Sequence, residues 1–363
     1  MTACLPDVLV DQPTAGFQIA PGRYVGDEFP CFIIAEIGQN HQGDIHLAKN
    51  LIQIAADCGV DCVKFQKSDV NSRFTKAVVK RPYTSYHSYG KTYGEHRKNL
   101  ELSDEDFFEL SQYAAAMGLF FTASGMDKPS IDFLNKLKVP FFKIGSADCT
   151  NLPLLYHASK YQKPLVVSTG MTNQADVCKM YDEVLEVNKY LAILQCTSCY
   201  PTPPSNIHLN VIKTYKELFP RAVIGYSGHE VGIGISVAAV TLGAKIIERH
   251  ITLDHSLKGS DHIASLEPME LRNLVCEIRR IEEAMGKCSK EIQDCELLCY
   301  EKLGKTIVTS KYLPCGTVLD EDMIDVKVAE HKGWDPINFY ELIGRKLKHD
   351  LEEDQCILPE DLL

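Results

Sequence analysis

Eight times between residues 32 and 250, a short apolar run closes on a polar or charged side chain, and a stretch with helical spacing follows each run. The runs cover 32–36, 61–66, 119–124, 140–144, 164–167, 191–195, 222–224 and 244–247. Their closing residues include Glu36, Lys64, Gln66, Ser124, Lys143, Ser146, Ser168, Ser198, Ser227, His229 and His250. Between and after them lie helical patterns: an apolar face at Leu47, Leu51 and Ile54, then segments near 104–117, 130–138, 152–161, 175–188, 209–218, 231–242 and 268–285. Short connections between alternating strands and helices force neighbouring strands to run parallel. Eight such units predict an α/β fold of the (β/α)8 TIM-barrel type, with its chemistry at the carboxyl ends of the strands.

Composition sets the outer limits. The chain has 363 residues, 45% hydrophobic and 24% charged, as expected of a globular enzyme with one large domain and room for a small one. Its formal net charge of -11 argues against a nucleic-acid surface or an anionic membrane. The first seventeen residues show no basic start leading into an apolar core, and no apolar run reaches the roughly 20 residues of a membrane span, so a cytoplasmic location is expected. Fourteen cysteines are scattered through the predicted elements. Cys196 and Cys199 have CxxC spacing but lack a second pair, which favours reduced thiols over a zinc knuckle. The expected boundaries are a loose lead-in over 1–30, the barrel over 31–286, a polar linker over 287–301 and a small β-rich domain over 302–363.

The last two barrel strands deliver His229 and His250 to one edge. That pair reads as a half-filled metal site, against the plainer alternative of hydrogen-bonded structural histidines. Two lysines with five serines at the same edge read as a cradle for a phosphate or carboxylate: serines donate without adding charge, and Lys64 and Lys143 neutralise it. Each serine alone could equally be a turn or cap. Either lysine could instead form a Schiff base, as in aldolases of this fold. Glu36 is placed as a general base or water-positioning carboxylate, and Asp261, beyond the last strand, could reach the same mouth. The basic and aromatic loop after the second strand, with Arg81 and Lys91, predicts a second anion site over the mouth, the alternative being a solvated loop.

The stretches Ile34-Ala35-Glu36-Ile37-Gly38-Gln39-Asn40-His41-Gln42-Gly43, Lys64-Phe65-Gln66-Lys67, Lys143-Ile144-Gly145-Ser146, Ser168-Thr169-Gly170-Met171, Tyr200-Pro201-Thr202-Pro203, Gly225-Tyr226-Ser227-Gly228-His229 and Glu248-Arg249-His250 together resemble the sialic acid synthase family through the whole barrel. The tail, with Leu342-Ile343-Gly344-Arg345-Lys346-Leu347, resembles that family's antifreeze-like (SAF) domain, and Lys91-Thr92-Tyr93-Gly94-Glu95-His96 resembles its animal branch. The resemblance implies a transferase of sialic acid biosynthesis that condenses phosphoenolpyruvate with N-acetylmannosamine 6-phosphate to N-acetylneuraminate 9-phosphate. Unphosphorylated N-acetylmannosamine or mannose 6-phosphate is the alternative sugar. It implies phosphoenolpyruvate contacts at Lys64, Ser124, Lys143, Ser146, Ser168, Ser198 and Ser227, although bacterial members carry asparagine at the position of Ser198. It implies a divalent metal, Mn²⁺ or Mg²⁺, on His229 and His250, and residues facing sugar or water at Glu36, Gln66, Tyr200 and Asp261. A homodimer with exchanged tails is implied as well. Here the chain departs from the bacterial pattern: where those members carry a tail arginine near the N-acetyl group, this chain has Val328. A sugar- or ice-binding role for the tail is a further alternative, and it would leave the cradle without a purpose.

Overall fold

The computed structural model describes residues 15–363. The described residues divide into two compact units, 15–286 and 287–363. Two strands, β1 (Gly16–Ala20) and β2 (Arg23–Gly26), form an antiparallel hairpin ahead of the barrel. Eight strands then close into a parallel barrel: β3 (Phe32–Gly38), β4 (Cys62–Lys67), β5 (Phe120–Gly125), β6 (Phe142–Ile144), β7 (Leu165–Ser168), β8 (Leu191–Cys196), β9 (Val223–Gly228) and β10 (Ile246–His250), with β10 pairing β3. The eight-strand barrel expected from the alternation is therefore present, each strand within a few residues of its expected place.

Parity within the strands organises the interior. Side chains alternate between faces along a strand, so Ile33, Ala35, Val63, Phe65, Phe121, Ala123 and Val167 join the apolar layer beneath the helices. The opposite face points into the barrel. At its amino end it is apolar, with Phe32, Ile34, Cys62, Phe141, Val166, Ala192, Leu194, Val223 and Ile246 packed together. Continuing at the same parity toward the carboxyl end, it becomes Glu36, Lys64, Gln66, Ser124, Lys143, Ser168, Ser227, Glu248 and His250. The barrel is thus a filled hydrophobic plug carrying one polar layer.

The lead-in differs from expectation. Residues 1–14 lie outside the described residues, but the stretch that follows is ordered rather than loose: Phe17, Ile19 and Val25 are buried against the apolar barrel floor. Arg23 fixes the hairpin, donating from Nε to Asp61 Oδ1 at 2.8 Å, while Asp61 Oδ2 accepts from the Ile33 amide at 2.8 Å. The segment after β4 also differs. It contains helices Val70–Arg73, Lys76–Lys80 and Tyr93–Leu100, each started by a side-chain cap from Asp69, Thr75 or Thr92. Thr92 and Glu95 form a full capping box, a local signal that outweighs the poor apolar periodicity of this stretch.

In the second unit, β11 (Lys305–Thr309) and β12 (Ile324–Val328) pair antiparallel around a core of Ile307, Leu313, Ile324, Leu342, Leu347 and Ile357. Residues 287–301, expected as linker, include the start of a helix, Leu297–Leu303. None of the described cysteines pairs with another. Among the described residues, no helix is long and apolar enough to cross a membrane.

Phe32 fills the barrel floor with no exposed surface and meets the rings of Phe120 and Phe141 at 6.3 and 5.9 Å. Phe32→Ala should cost about 3–5 kcal/mol of stability, because the closed barrel cannot collapse into the cavity. Denaturant unfolding checks this, and a loss near ~1 kcal/mol would show that the hairpin rather than the floor sets stability.

Candidate functional site

The polar layer is a ring of paired charges. Register places Glu36 opposite both Lys64 and His250, Ser124 opposite both Gln66 and Lys143, and Ser227 opposite both Cys196 and Glu248. Lys64 donates to Ser124 Oγ at 2.9 Å and lies 2.8 Å from Glu36 Oε2. Lys143 donates to Ser168 Oγ at 2.7 Å and to the Ile144 carbonyl at 3.0 Å. Glu248 stands between the two ammonium groups, 3.7 Å from each, and accepts from Ser227 Oγ at 3.1 Å. Gln66 Nε2 donates to Glu36 Oε1 at 3.1 Å.

Burial sets the protonation balance in this ring. Desolvation pushes Glu36 up to about 7; Lys64 opposes the shift and Glu248 reinforces it. Burial would depress the Lys64 ammonium, but Glu248 and Glu36 outweigh it and hold the group above the usual lysine range. Lys143 has one carboxylate neighbour and stays below that range, because desolvation prevails over Glu248. Desolvation would raise Glu248, yet the two lysines hold it below the usual carboxylate range.

Beside the ring, Ser146 Oγ accepts from the Gly170 amide at 3.0 Å. A β-carbon on Gly170 would lie 2.2 Å from Ser198 Oγ and 2.8 Å from Ser146 Oγ, so this glycine lets two loops bring both hydroxyls to one point. The imidazoles of His229 and His250 have centroids 5.5 Å apart, side by side as the βαβ unit predicts. Tyr200 lies over His229 at 4.1 Å. His229 Nδ1 faces the Thr197 carbonyl at 3.0 Å, which places the proton on Nδ1 and leaves Nε2 with its lone pair. His250 Nδ1 is buried without a hydrogen-bond partner, and desolvation lowers this histidine's pKa against the opposing pull of Asp261. An orphaned nitrogen beside an oriented one suits a divalent cation. Among the described residues no cluster of three or more His, Cys, Asp or Glu side chains joins them, so the remaining ligands of such an ion would be water and substrate oxygens.

The NeuB family model matches residues 51–290, and the SAF domain model matches residues 304–363. The chain belongs to the NeuB family. It is 52% identical, over 94% of its length and 96% of the relative's, to the human N-acetylneuraminate-9-phosphate synthase. The Drosophila melanogaster protein of the same name is 43% identical over 92% of this chain and 96% of its own. Among solved structures, the N-acetylneuraminic acid synthetase of Leptospira borgpetersenii superposes with a TM-score of 0.70 at 30% identity, covering 79% of this chain and 96% of that one.

In this NeuB chain the structure brings Glu36, Lys64, Gln66, Ser124, Lys143, Ser168, Ser227 and His250 into one inward layer, with Ser146, Ser198, Tyr200 and His229 at its rim. Asp261, half-buried, is near enough for its charge to act on His250. Arg81 and Lys91 are not brought there: both side chains are exposed, and Arg81 lies over the ring of Tyr93 at 5.3 Å. Glu248 was missed as a site residue, although it falls at the inward parity of β10 between Ile246 and His250. Its neighbour Arg249 faces the other way and is structural. It bonds Glu230 Oε1 at 2.8 Å, the Gly232 carbonyl at 2.8 Å and Ser236 Oγ at 2.9 Å, with Tyr226 closing the cluster on Glu230. Glu230→Ala strands a guanidinium that is 1% exposed and should cost about 3–5 kcal/mol in thermal or denaturant unfolding. A loss below ~1 kcal/mol would mean that water reaches Arg249.

Proposed function

We propose that this NeuB chain catalyses a carbon–carbon bond formation of sialic acid biosynthesis, joining phosphoenolpyruvate to N-acetylmannosamine 6-phosphate and releasing phosphate. The observation that carries the reading is the buried pair Lys64 and Lys143, held 3.7 Å on either side of Glu248 and flanked by serine hydroxyls. Such a cradle is arranged for a small anion of high charge. In this reading Lys64, Ser124, Lys143, Ser146, Ser168, Ser198 and Ser227 hold the phosphate and carboxylate of phosphoenolpyruvate. Its methylene carbon then faces the open-chain sugar, while Gln66, Tyr200 and Asp261 line the sugar's side of the mouth.

Fixing both reactants at one barrel edge replaces a bimolecular encounter by an oriented one. The methylene carbon attacks the aldehyde carbon, and the aldehyde oxygen takes up a proton to become a hydroxyl, a proton balanced by the one that the attacking water later gives to Glu36. Positive charge develops at C2, where the ionised carboxylate of Glu36 stabilises it and orients a water for attack. That water adds to C2 and gives one proton to Glu36; the C2–O bond to phosphate then breaks, the remaining hydroxyl proton leaves with the phosphate, and the keto acid is left. His229 and His250 are the residues that would hold a divalent ion, Mn²⁺ or Mg²⁺; when bound, it polarises the aldehyde oxygen. The Thr197 carbonyl engages His229 Nδ1 at 3.0 Å, which leaves Nε2 available as the ligand in this reading.

We further read the working protein as a cytoplasmic homodimer, a reading supported by the likeness to the animal branch. Its mass in solution by light scattering is the check. Burial holds Lys143 below the usual lysine range, which also favours a Schiff-base reading. Borohydride trapping with pyruvate separates the two: a covalent adduct would overturn the condensing synthase. Removing residues 302–363 without loss of condensation would favour an independent binding role for the tail.

Phosphate release from phosphoenolpyruvate should require the acceptor sugar. Lys143→Met should raise KM for phosphoenolpyruvate at least about tenfold, the value of one charge-assisted contact. His229→Ala should abolish turnover while phosphoenolpyruvate still binds by calorimetry. Full activity after exhaustive chelation would overturn the metal assignment.

A further inference from the structure

The condensation has two anionic reactants, and the strand-end lysines serve only one of them. The second set of cations comes from the capped helices after β4. Arg97, in helix Tyr93–Leu100, is 7% exposed. Its Nη1 donates to Gln39 Oε1 at 2.8 Å, just beyond the end of β3, while Nε and Nη2 are buried with no acceptor. Arg73 ends helix Val70–Arg73, and its Nη1 is likewise buried with no acceptor. The two helices touch, with Phe74 edge-on to Tyr93 at 5.3 Å and Arg73 over the Phe74 ring at 4.8 Å, and Arg97 is near enough to bear on the charge of Arg73. Among the described residues, neither has a carboxylate within ion-pair distance. The acids nearest Arg73 are otherwise engaged: Asp127 accepts from Ser130 and from the Asp69 amide, and Asp148 accepts from Asn151.

Holding a buried guanidinium near a half-buried one, with three buried donor nitrogens unpaired, is unfavourable unless something anionic completes them. Their position identifies the space concerned. Gln39 follows β3, and Asp127 and Asp148 follow β5 and β6, so the pair stands over the carboxyl edge of the barrel's first four strands. Arg73, though not Arg97, also lines a cavity of about 680 Å³ together with Met126, Asp127, Lys128, Ala147 and Asp148. Planar, forked donors suit the several oxygens of a phosphate monoester better than a single carbonyl or hydroxyl.

We propose that Arg97 and Arg73 bind the 6-phosphate of the acylated amino sugar and set the preference for the phosphorylated substrate. This rests on the condensing activity proposed above. It assigns to these two residues the role that sequence pattern alone suggested for Arg81 and Lys91.

The experiment is steady-state kinetics of the full chain with saturating phosphoenolpyruvate, comparing N-acetylmannosamine 6-phosphate with N-acetylmannosamine. The wild type should prefer the phosphorylated sugar. Arg97→Ala and Arg73→Ala should each reduce that preference, measured as the ratio of the two kcat/KM values, by about ten- to a hundredfold, with the loss concentrated in KM. Arg97→Lys should recover part of it, and Arg81→Ala and Lys91→Ala should leave the ratio within about twofold of wild type. A merely structural role predicts equal losses on both sugars, and that result would overturn the proposal, as would an undiminished ratio in both alanine variants. Should Arg97→Ala fail to fold, Arg73→Ala and Arg97→Lys carry the same test. A wild type that condenses neither sugar would overturn the activity itself. A wild type that prefers the phosphorylated sugar, with both arginine variants retaining that preference, would overturn this assignment alone.

Discussion

A strand in a closed barrel has a single inward face, and everything placed at that parity shares one narrow space. In this protein the inward face starts apolar at Phe32, Ile34, Cys62 and Val166 and ends polar at Glu36, Lys64, Gln66 and Ser168. The apolar half excludes water from below, and this gives the charges above their strength. In bulk water an ion pair at 3.7 Å would be worth roughly a kilocalorie per mole; in a desolvated layer it controls protonation. The pKa of Glu36 at about 7 and the depressed Lys143 both arise from that dry floor. Floor and chemistry are one construction.

Within the ring, charge is balanced by shared partners. Glu36 faces Lys64, and Glu248 serves Lys64 and Lys143 together, so two ammonium groups and two carboxylates occupy the layer. Contacts of 3.7 Å are too long for hydrogen bonds, and Glu248 Oε2 has no hydrogen-bond partner. The carboxylate thus compensates the lysines without saturating them. An arriving phosphate or carboxylate meets ammonium groups that still have donors to give, and the layer needs little reorganisation to receive it.

The parts legible in the sequence were those governed by period-two alternation. Strand ends could be read because an apolar body must stop where the inward face turns polar, and this marked Glu36, Lys64, Lys143, Ser168 and His250. Glu248 was harder: it precedes Arg249 and His250, and three polar residues in a row conceal which of them points inward. The hairpin 16–26 is short and half polar, so its apolar residues make sense only once the barrel floor exists to receive them. The segment 70–100 owes its helices to caps rather than to an apolar stripe, and burial of Arg97 depends on Gln39, 58 residues earlier in the chain. Exposure of Arg81 and Lys91 follows from the same tertiary contacts, to which composition is blind.

Two kinds of buried cation can be told apart by the completeness of their hydrogen bonding. Arg249 lies 1% exposed with Nη1 given to three acceptors and Nη2 to the Glu230 carbonyl, leaving only Nε without one. Its charge is neutralised by Glu230, which is itself held by Tyr226 and Ser236. Its charge is therefore met within the protein and Nε alone is unbonded, and the cluster ties β9 to β10. Arg97 is almost as buried, yet two of its three side-chain nitrogens lack acceptors and no carboxylate pairs with it among the described residues. A protein that can neutralise one buried guanidinium in this way has the means to neutralise another. In the readings proposed above, incomplete bonding at Arg97, and at the His250 imidazole in the same molecule, is capacity held for groups that the polypeptide itself does not supply.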